Sequence, residues 1–175
     1  DHLDYHKTYN AYISAKKKFF DGLSSKSTAI VNIDDKHGST MLQHTKAKKK
    51  TFALRSVADY KCNIIENQFS GLHLNINGQD VYTKLIGSFN ASNLLLTYAT
   101  AIELGENQLE VLTVLSALDA VEGRFQQFKS DLGVNSIVDY AHTPDALMNI
   151  LKTIADIRTG NEKVICVVGC GGDRD

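Results

Sequence analysis

An excess of positive charge is missing from this sequence: 19 lysines and arginines face 20 aspartates and glutamates, for a formal net charge of −1. That balance provides no overall basic field to draw in nucleic acid or an anionic membrane surface. Cysteine is scarce and odd in number (Cys62, Cys166 and Cys170), which argues against a secreted disulfide framework and for reduced thiols. No apolar run approaches the roughly 20 residues that a membrane-spanning helix needs, and no signal peptide opens the chain. Proline occurs once, at Pro144. There is no internal repeat and no low-complexity segment. Gly-x-x-x-x-Gly-Lys-Ser/Thr, Gly-x-Gly-x-x-Gly and Cys-x-x-Cys patterns are all lacking, so no single phosphate-loop, dinucleotide or zinc signature stands out.

What is present is an ordinary globular composition, 43% apolar and 22% charged. At 175 residues the chain is of single-domain size, with room also for the adjoining parts of two domains. It starts without methionine on a motif-dense stretch, Asp1-His2-Leu3-Asp4-Tyr5-His6, and stops in a Gly-rich turn, Gly169 to Asp175. The expectation is a piece cut from a longer protein.

From Thr8, apolar residues at helical spacing (Tyr9, Tyr12, Ile13, Phe20 and Leu23) predict a helix, with Lys16 on the same stripe. A buried strand is expected at 28–33, ending in Asn32-Ile33-Asp34-Asp35, and a short helix near 39–44. The run Lys46–Lys50 reads as a solvated loop. Residues 51–85 read as β: Leu72, Leu74 and Ile76 alternate with polar neighbours, and Asn77-Gly78 marks a hairpin. Helices follow at 90–104, closed by Gly105, and at 108–121. After Gly123 the pattern changes to strand (125–129), turn, strand (136–139), helix, strand (164–168) and Gly-rich turn. Thr143 and Pro144 mark that last helix as N-cap and first helical residue. Strand, crossover helix and parallel strand predict the opening of an α/β sheet, so the chain divides into 1–122 and 123–175.

Several residues are candidates for chemistry. A lysine inside an aromatic stripe is costly to desolvate; its neutral amine could take up carbon dioxide as a carbamate, an oxygen ligand for Mg²⁺. Equally, Lys16 could pack its stem on the tyrosines and keep its head in water. Asp1, His2, Asp4 and His6 form a dense set of possible metal ligands. Asp34 and Asp35 suit either capping or ligation. Asn90 fits an N-cap, whereas Asn93, one turn later, is a mediocre helix former. Arg124, just after the predicted boundary, could reach phosphates between two domains or be a linker surface group. In Asp139-Tyr140-Ala141-His142-Thr143-Pro144-Asp145, polar residues follow a strand and precede a helix, where ligands of open α/β sheets bind.

Taken in order, the opening Asp1–His6 segment, Ala15-Lys16, Asn32–Asp35, Gly87-Ser88-Phe89-Asn90-Ala91-Ser92-Asn93, Gly123-Arg124-Phe125, Asp139–Asp145 and Gly169–Asp175 closely resemble the Mur ligases of peptidoglycan synthesis. Within that family the pattern is similar to the members that add a diamino acid as the third peptide residue. The resemblance covers essentially the whole chain. It implies an α/β fold made of the latter part of a central ATPase domain, with a β-rich insertion, followed by the start of a Rossmann-like C-terminal domain. It also implies ATP-dependent amide formation through an acyl phosphate, with Mg²⁺, on a UDP-N-acetylmuramoyl dipeptide in the cytoplasm, by a monomer. Since the P-loop is absent, the piece alone is expected to be inactive.

Carried over by position, the resemblance makes Lys16 the carbamylated lysine and, as carbamate, a magnesium ligand together with His2. Asn90 and Asn93 fall in the segment facing adenine, Arg124 on the phosphate-contacting arginine and Asp139 on the ribose acceptor. His142 corresponds to a nucleotide or peptide-substrate contact, and Arg174 to a contact with the carboxylate of the amino-acid acceptor. Ser88 and Gln126 depart from the arginine and glutamate common in the family. Two alternatives remain: a cyanophycin-synthetase-like amide ligase, which shares the Gly-Arg and Asp-Tyr-Ala-His segments, and a non-catalytic nucleotide-binding module.

Overall fold

Thr8 accepts the Ala11 N–H and starts helix α1 (Tyr9–Asp21), which has no buried residue. The computed structural model describes residues 7–169. Strand β1 (Thr28–Asn32) buries Ala29 and Val31 on one face, and a single turn of helix, α2 (Gly38–Met41), follows. Next come β2 (Lys48–Ala53), β3 (Tyr60–Gln68), β4 (Gly71–Ile76) and β5 (Gln79–Thr83). Helices α3 (Ser88–Glu103) and α4 (Gln108–Ala117), strands β6 (Gln126–Lys129) and β7 (Asn135–Val138), and helix α5 (Pro144–Ile157) complete the order.

The first five strands form one sheet in sequence order. β1, β2 and β3 run parallel, while β3, β4 and β5 form an antiparallel meander whose register shifts between Ile64 and Glu66. As expected, Asn77 and Gly78 (φ 48° and 86°) make the β4–β5 turn, since both central residues of such a turn need positive φ. Leu72, Leu74 and Ile76 point into the core against Leu94, Leu95 and Tyr98 of α3 and Leu112 and Leu115 of α4. Full burial of each such leucine contributes about 1.5–3 kcal/mol.

Three residues of the lysine run, Lys48 to Lys50, are strand rather than solvated loop. Lys48, Lys49 and Lys50 pair with Thr28, Ala29 and Ile30 of β1, because a β ladder joins backbones whatever the side chains. Two of the charges are answered from the helix packed on the sheet: Lys48 and Lys50 lie 2.8 and 3.3 Å from the Glu103 carboxylate at the end of α3. Asp34 is neither a helix cap nor a metal ligand here. Its carboxylate accepts the Leu54, Arg55 and Ser56 N–H groups and the Ser56 hydroxyl, while Lys61 donates to the Leu54 and Ser56 carbonyls. The turn after β2 is thus gripped through both its donors and its acceptors.

The second half departs from expectation at its sheet. β7 pairs with β6 as an antiparallel hairpin, so the Asp139 segment follows an antiparallel strand. Residues 164–168 form no strand; Ile165 and Val167 are 87% and 94% exposed. A cavity of 450 Å³ separates this run from β7 and α5. The run is apolar throughout, but a strand exists only where a neighbour supplies the ladder. Thr143 and Pro144 do start α5 as predicted. α4 ends at Ala117, four residues before Val121.

Candidate active site

The two halves meet around one aromatic ring. Phe125 is 2% exposed and packs with Ile86, just before α3, and Ile157 from the end of α5. Phe89 meets it edge-on at 5.5 Å. The Phe125 backbone is left-handed (φ 46°), which costs an L-residue about 1–2 kcal/mol and persists only where the surroundings hold it. Three hydrogen bonds do so. Arg124 N–H donates to the Val121 carbonyl at 2.9 Å, Gly123 N–H to Gln126 Oε1 at 3.0 Å, and Phe125 N–H to Asp139 Oδ2 at 2.7 Å. Gln126 thus ties the start of the second half to the Gly123 backbone through its amide oxygen.

Asp139, at the end of β7, accepts the Ala141 N–H through Oδ1 at 2.7 Å. Each carboxylate oxygen thus carries one backbone hydrogen bond and keeps further acceptor capacity. The exposed Arg124 guanidinium lies over the Tyr140 ring, 5.1 Å from its centroid. His142 donates from Nδ1 to the Tyr140 carbonyl at 3.0 Å, which leaves Nε2 as the acceptor of the neutral ring; it donates to an anion only when protonated. Arg124, Asp139 and His142 are accordingly gathered on one loop cluster, with a cation, a carboxylate and an imidazole available to a ligand.

Asn90 and Asn93 lie on the first two turns of α3, next to Phe89. Gly87 is the N-cap, not Asn90, and the Asn90 amide donates to the Ile86 carbonyl at 2.8 Å. Asn93 is exposed, its amide 3.5 Å from Asn90 Oδ1. Lys16 is on α1, whose main packing partner is α2, apart from the elements that carry the other candidates. It is exposed rather than buried, with its ammonium over the Tyr12 ring, 4.4 Å from the centroid. His2 and Arg174 lie outside the described residues.

The nucleotide and metal implied by the resemblance fit unequally. An exposed guanidinium and a carboxylate with spare acceptor capacity suit the phosphates and ribose of ATP. For Mg²⁺, no group of three His, Cys, Asp or Glu side chains among the described residues could hold a metal, and an ammonium is no ligand until carbamylated. Sequence reasoning missed Phe125, Gln126 and Tyr140 as working parts. The signal for Tyr140 was an aromatic beside the acid of the strand-to-helix loop. Among the described residues, no helix is long and apolar enough to cross a membrane.

Residues 1–101 match the family model described as the Mur ligase middle domain, and residues 123–175 the one described as the Mur ligase, glutamate ligase domain. Over its whole length the chain is 54% identical to the UDP-N-acetylmuramoyl-L-alanyl-D-glutamate–2,6-diaminopimelate ligase of Parabacteroides distasonis, 36% of which it covers. A solved structure of a ligase of that name is similar with a TM-score of 0.75 at 34% identity, over all of this chain and 37% of the other. The MurF ligase of Thermotoga maritima in complex with ADP has a TM-score of 0.75 at 16% identity, over 88% of this chain and 36% of that one, a likeness of fold alone. The mixed α/β architecture is thus that of the middle domain and the start of the C-terminal domain in these ligases. The chain spans little more than a third of the length of the curated relatives it matches.

Proposed function

The chain belongs to the Mur ligase family, and on that premise we propose that it works within an ATP-dependent ligase that joins 2,6-diaminopimelate to UDP-N-acetylmuramoyl-L-alanyl-D-glutamate in the cytoplasm. The observation that carries this reading is the gathering of Arg124, Asp139 and His142 where 1–122 gives way to 123–175. The names of the relatives support the choice of diamino acid.

Arg124 offers donors in a planar fork matched to phosphate oxygens, and its exposure leaves them open to a ligand. Asp139 accepts ribose hydroxyls through the lone pairs its backbone partners leave free. Asn90 and Asn93 present amides beside the same junction, for adenine. His142 presents Nε2 to the nucleotide or to the peptide substrate. Arg174 takes the carboxylate of the incoming amino acid. Mg²⁺, bound with His2 and the Lys16 carbamate as ligands, would offset phosphate charge. The chain's own task in phosphoryl transfer is to place cations and acceptors before the reaction, since positioning and charge stabilisation supply most of such catalysis.

The test uses the full-length protein: phosphate release from ATP is followed with the UDP-muramoyl dipeptide and a panel of amino acids. Release that requires the dipeptide together with a diamino acid supports the reading; its absence with every acceptor overturns it. Asp139→Ala should raise the KM for ATP, Arg124→Ala mainly lower kcat, and Arg174→Lys raise the KM for the acceptor alone. Wild-type values for Asp139→Ala and Arg124→Ala would remove those two from the nucleotide site.

A further inference from the structure

Arg124 has four side-chain torsions and is exposed, so nothing in its own chemistry aims it. Its surroundings do. The backbone on its C-terminal side is held in the left-handed region at Phe125, and the hydrogen bond from the Phe125 N–H to Asp139 Oδ2 at 2.7 Å reaches across 14 residues. The other oxygen of the same carboxylate accepts the Ala141 N–H at 2.7 Å, which orients the loop carrying Tyr140. Tyr140 in turn places its ring under the Arg124 guanidinium at 5.1 Å. One carboxylate therefore fixes both the backbone from which Arg124 departs and the ring on which it rests.

We infer that Asp139 and Tyr140 form a latch that sets the direction of Arg124, so that both are positioning residues for the phosphate-binding arginine. Asp139 holds the strained turn and Tyr140 holds the guanidinium. This assigns Asp139 a task that is complete before any nucleotide arrives, separate from accepting a ribose hydroxyl. It also assigns a task to Tyr140, to which the ligase reading gave none. The part concerning phosphate rests on that reading; the part concerning the turn does not.

The physics separates the two residues. A cation held over an exposed ring is modestly stabilised, so loss of the ring frees the guanidinium without unfolding the loop. Tyr140 is 54% exposed, and truncating it leaves the core untouched. Asn at position 139 keeps one carbonyl oxygen and turns the other acceptor into a donor, so it can satisfy only one of the two backbone N–H groups.

The experiment has two arms in the full-length protein. In the first, amide hydrogen exchange is measured without nucleotide. Asp139→Asn should speed exchange at Phe125 or Ala141 by at least about tenfold, as a lost charge-assisted hydrogen bond implies. Unchanged exchange at both amides overturns the latch, since a residue that only binds ribose has no effect in nucleotide-free protein. In the second arm, Tyr140→Leu should lower kcat roughly two- to fivefold with the KM for ATP nearly unchanged, and Tyr140→Phe, which keeps the ring, should restore it. An unaltered kcat for Tyr140→Leu, or a Tyr140→Phe as slow as the leucine variant, overturns the role of the ring. A wild-type protein inactive with every acceptor overturns the ligase reading, and the exchange arm then still decides whether the turn is latched.

Discussion

The Tyr60 hydroxyl donates to Glu103 Oε1 at 2.6 Å, tying the start of β3 to the last turn of α3 across 43 residues of sequence. The Glu103 carboxylate is largely buried, and Lys48 and Lys50 complete its surroundings at 2.8 and 3.3 Å. Lys48 first, then Tyr60 and Lys50, outweigh the opposing effect of burial and hold its pKa down at about 2.

Acid should therefore loosen this sheet. An unfolded glutamate titrates at about 4.3, so a value depressed in the folded protein adds stability above that pH and loses it as the pH falls toward 2. Asp34 and Asp59 are lowered too, Asp34 by the N–H groups and hydroxyl of the 54–56 turn against burial, Asp59 mainly by the Thr51 hydroxyl. Urea unfolding from pH 7 to pH 2 should show falling stability, with a shallower slope for Glu103→Gln. Parallel slopes for wild type and variant would contradict this account.

The Asp34 carboxylate receives four hydrogen bonds at 2.7–3.0 Å from the turn after β2. Asparagine would keep one oxygen and aim an amide group at N–H donors. Asp34→Asn should lower the unfolding free energy by roughly 1.5–3 kcal/mol, the range for a hydrogen bond to a charged group. The measurement is the urea midpoint at neutral pH; a midpoint within error of wild type would mean that solvent replaces these bonds freely.

Gly87 touches the other half of the molecule. A Cβ there would lie 2.8 Å from both Phe89 Cε1 and Thr153 Cγ2, and its φ of 92° is strained for any L side chain. Gly87→Ala should cost roughly 1–3 kcal/mol. Thr153→Ser, which removes the contacting methyl, should recover part of the loss in the double variant but not the backbone strain. Full additivity in a double-mutant cycle would deny the contact between position 87 and α5.

Lys16 offers a clean separation of function from folding, since α1 buries no residue. Lys16→Ala should leave the unfolding free energy within about 0.5 kcal/mol of wild type, as surface substitutions do. In the full-length protein it should abolish ligation, with partial rescue by short carboxylic acids that replace the carbamate oxygens. An alanine variant with wild-type activity would remove Lys16 from the mechanism.

What the sequence by itself determined is local. Asn77-Gly78, the alternation of Leu72, Leu74 and Ile76, and the Thr143-Pro144 start of α5 act over a few residues, where backbone sterics, alternating faces and capping hydrogen bonds decide the outcome. The ordered motifs likewise carried the family. Tertiary structure alone decided the rest, because it depends on partners distant in sequence. Lys48 is in a strand because β1 is beside it, and its charge is met by Glu103, 55 residues away. The run 164–168 has strand-like apolar content but gains no ladder from β7. Asp139 and Phe125 were both visible in the sequence; that one carboxylate holds the other residue's backbone in a strained turn became visible only when the chain folded back on itself, since hydrogen-bond geometry is set in space and leaves no periodic trace along the chain.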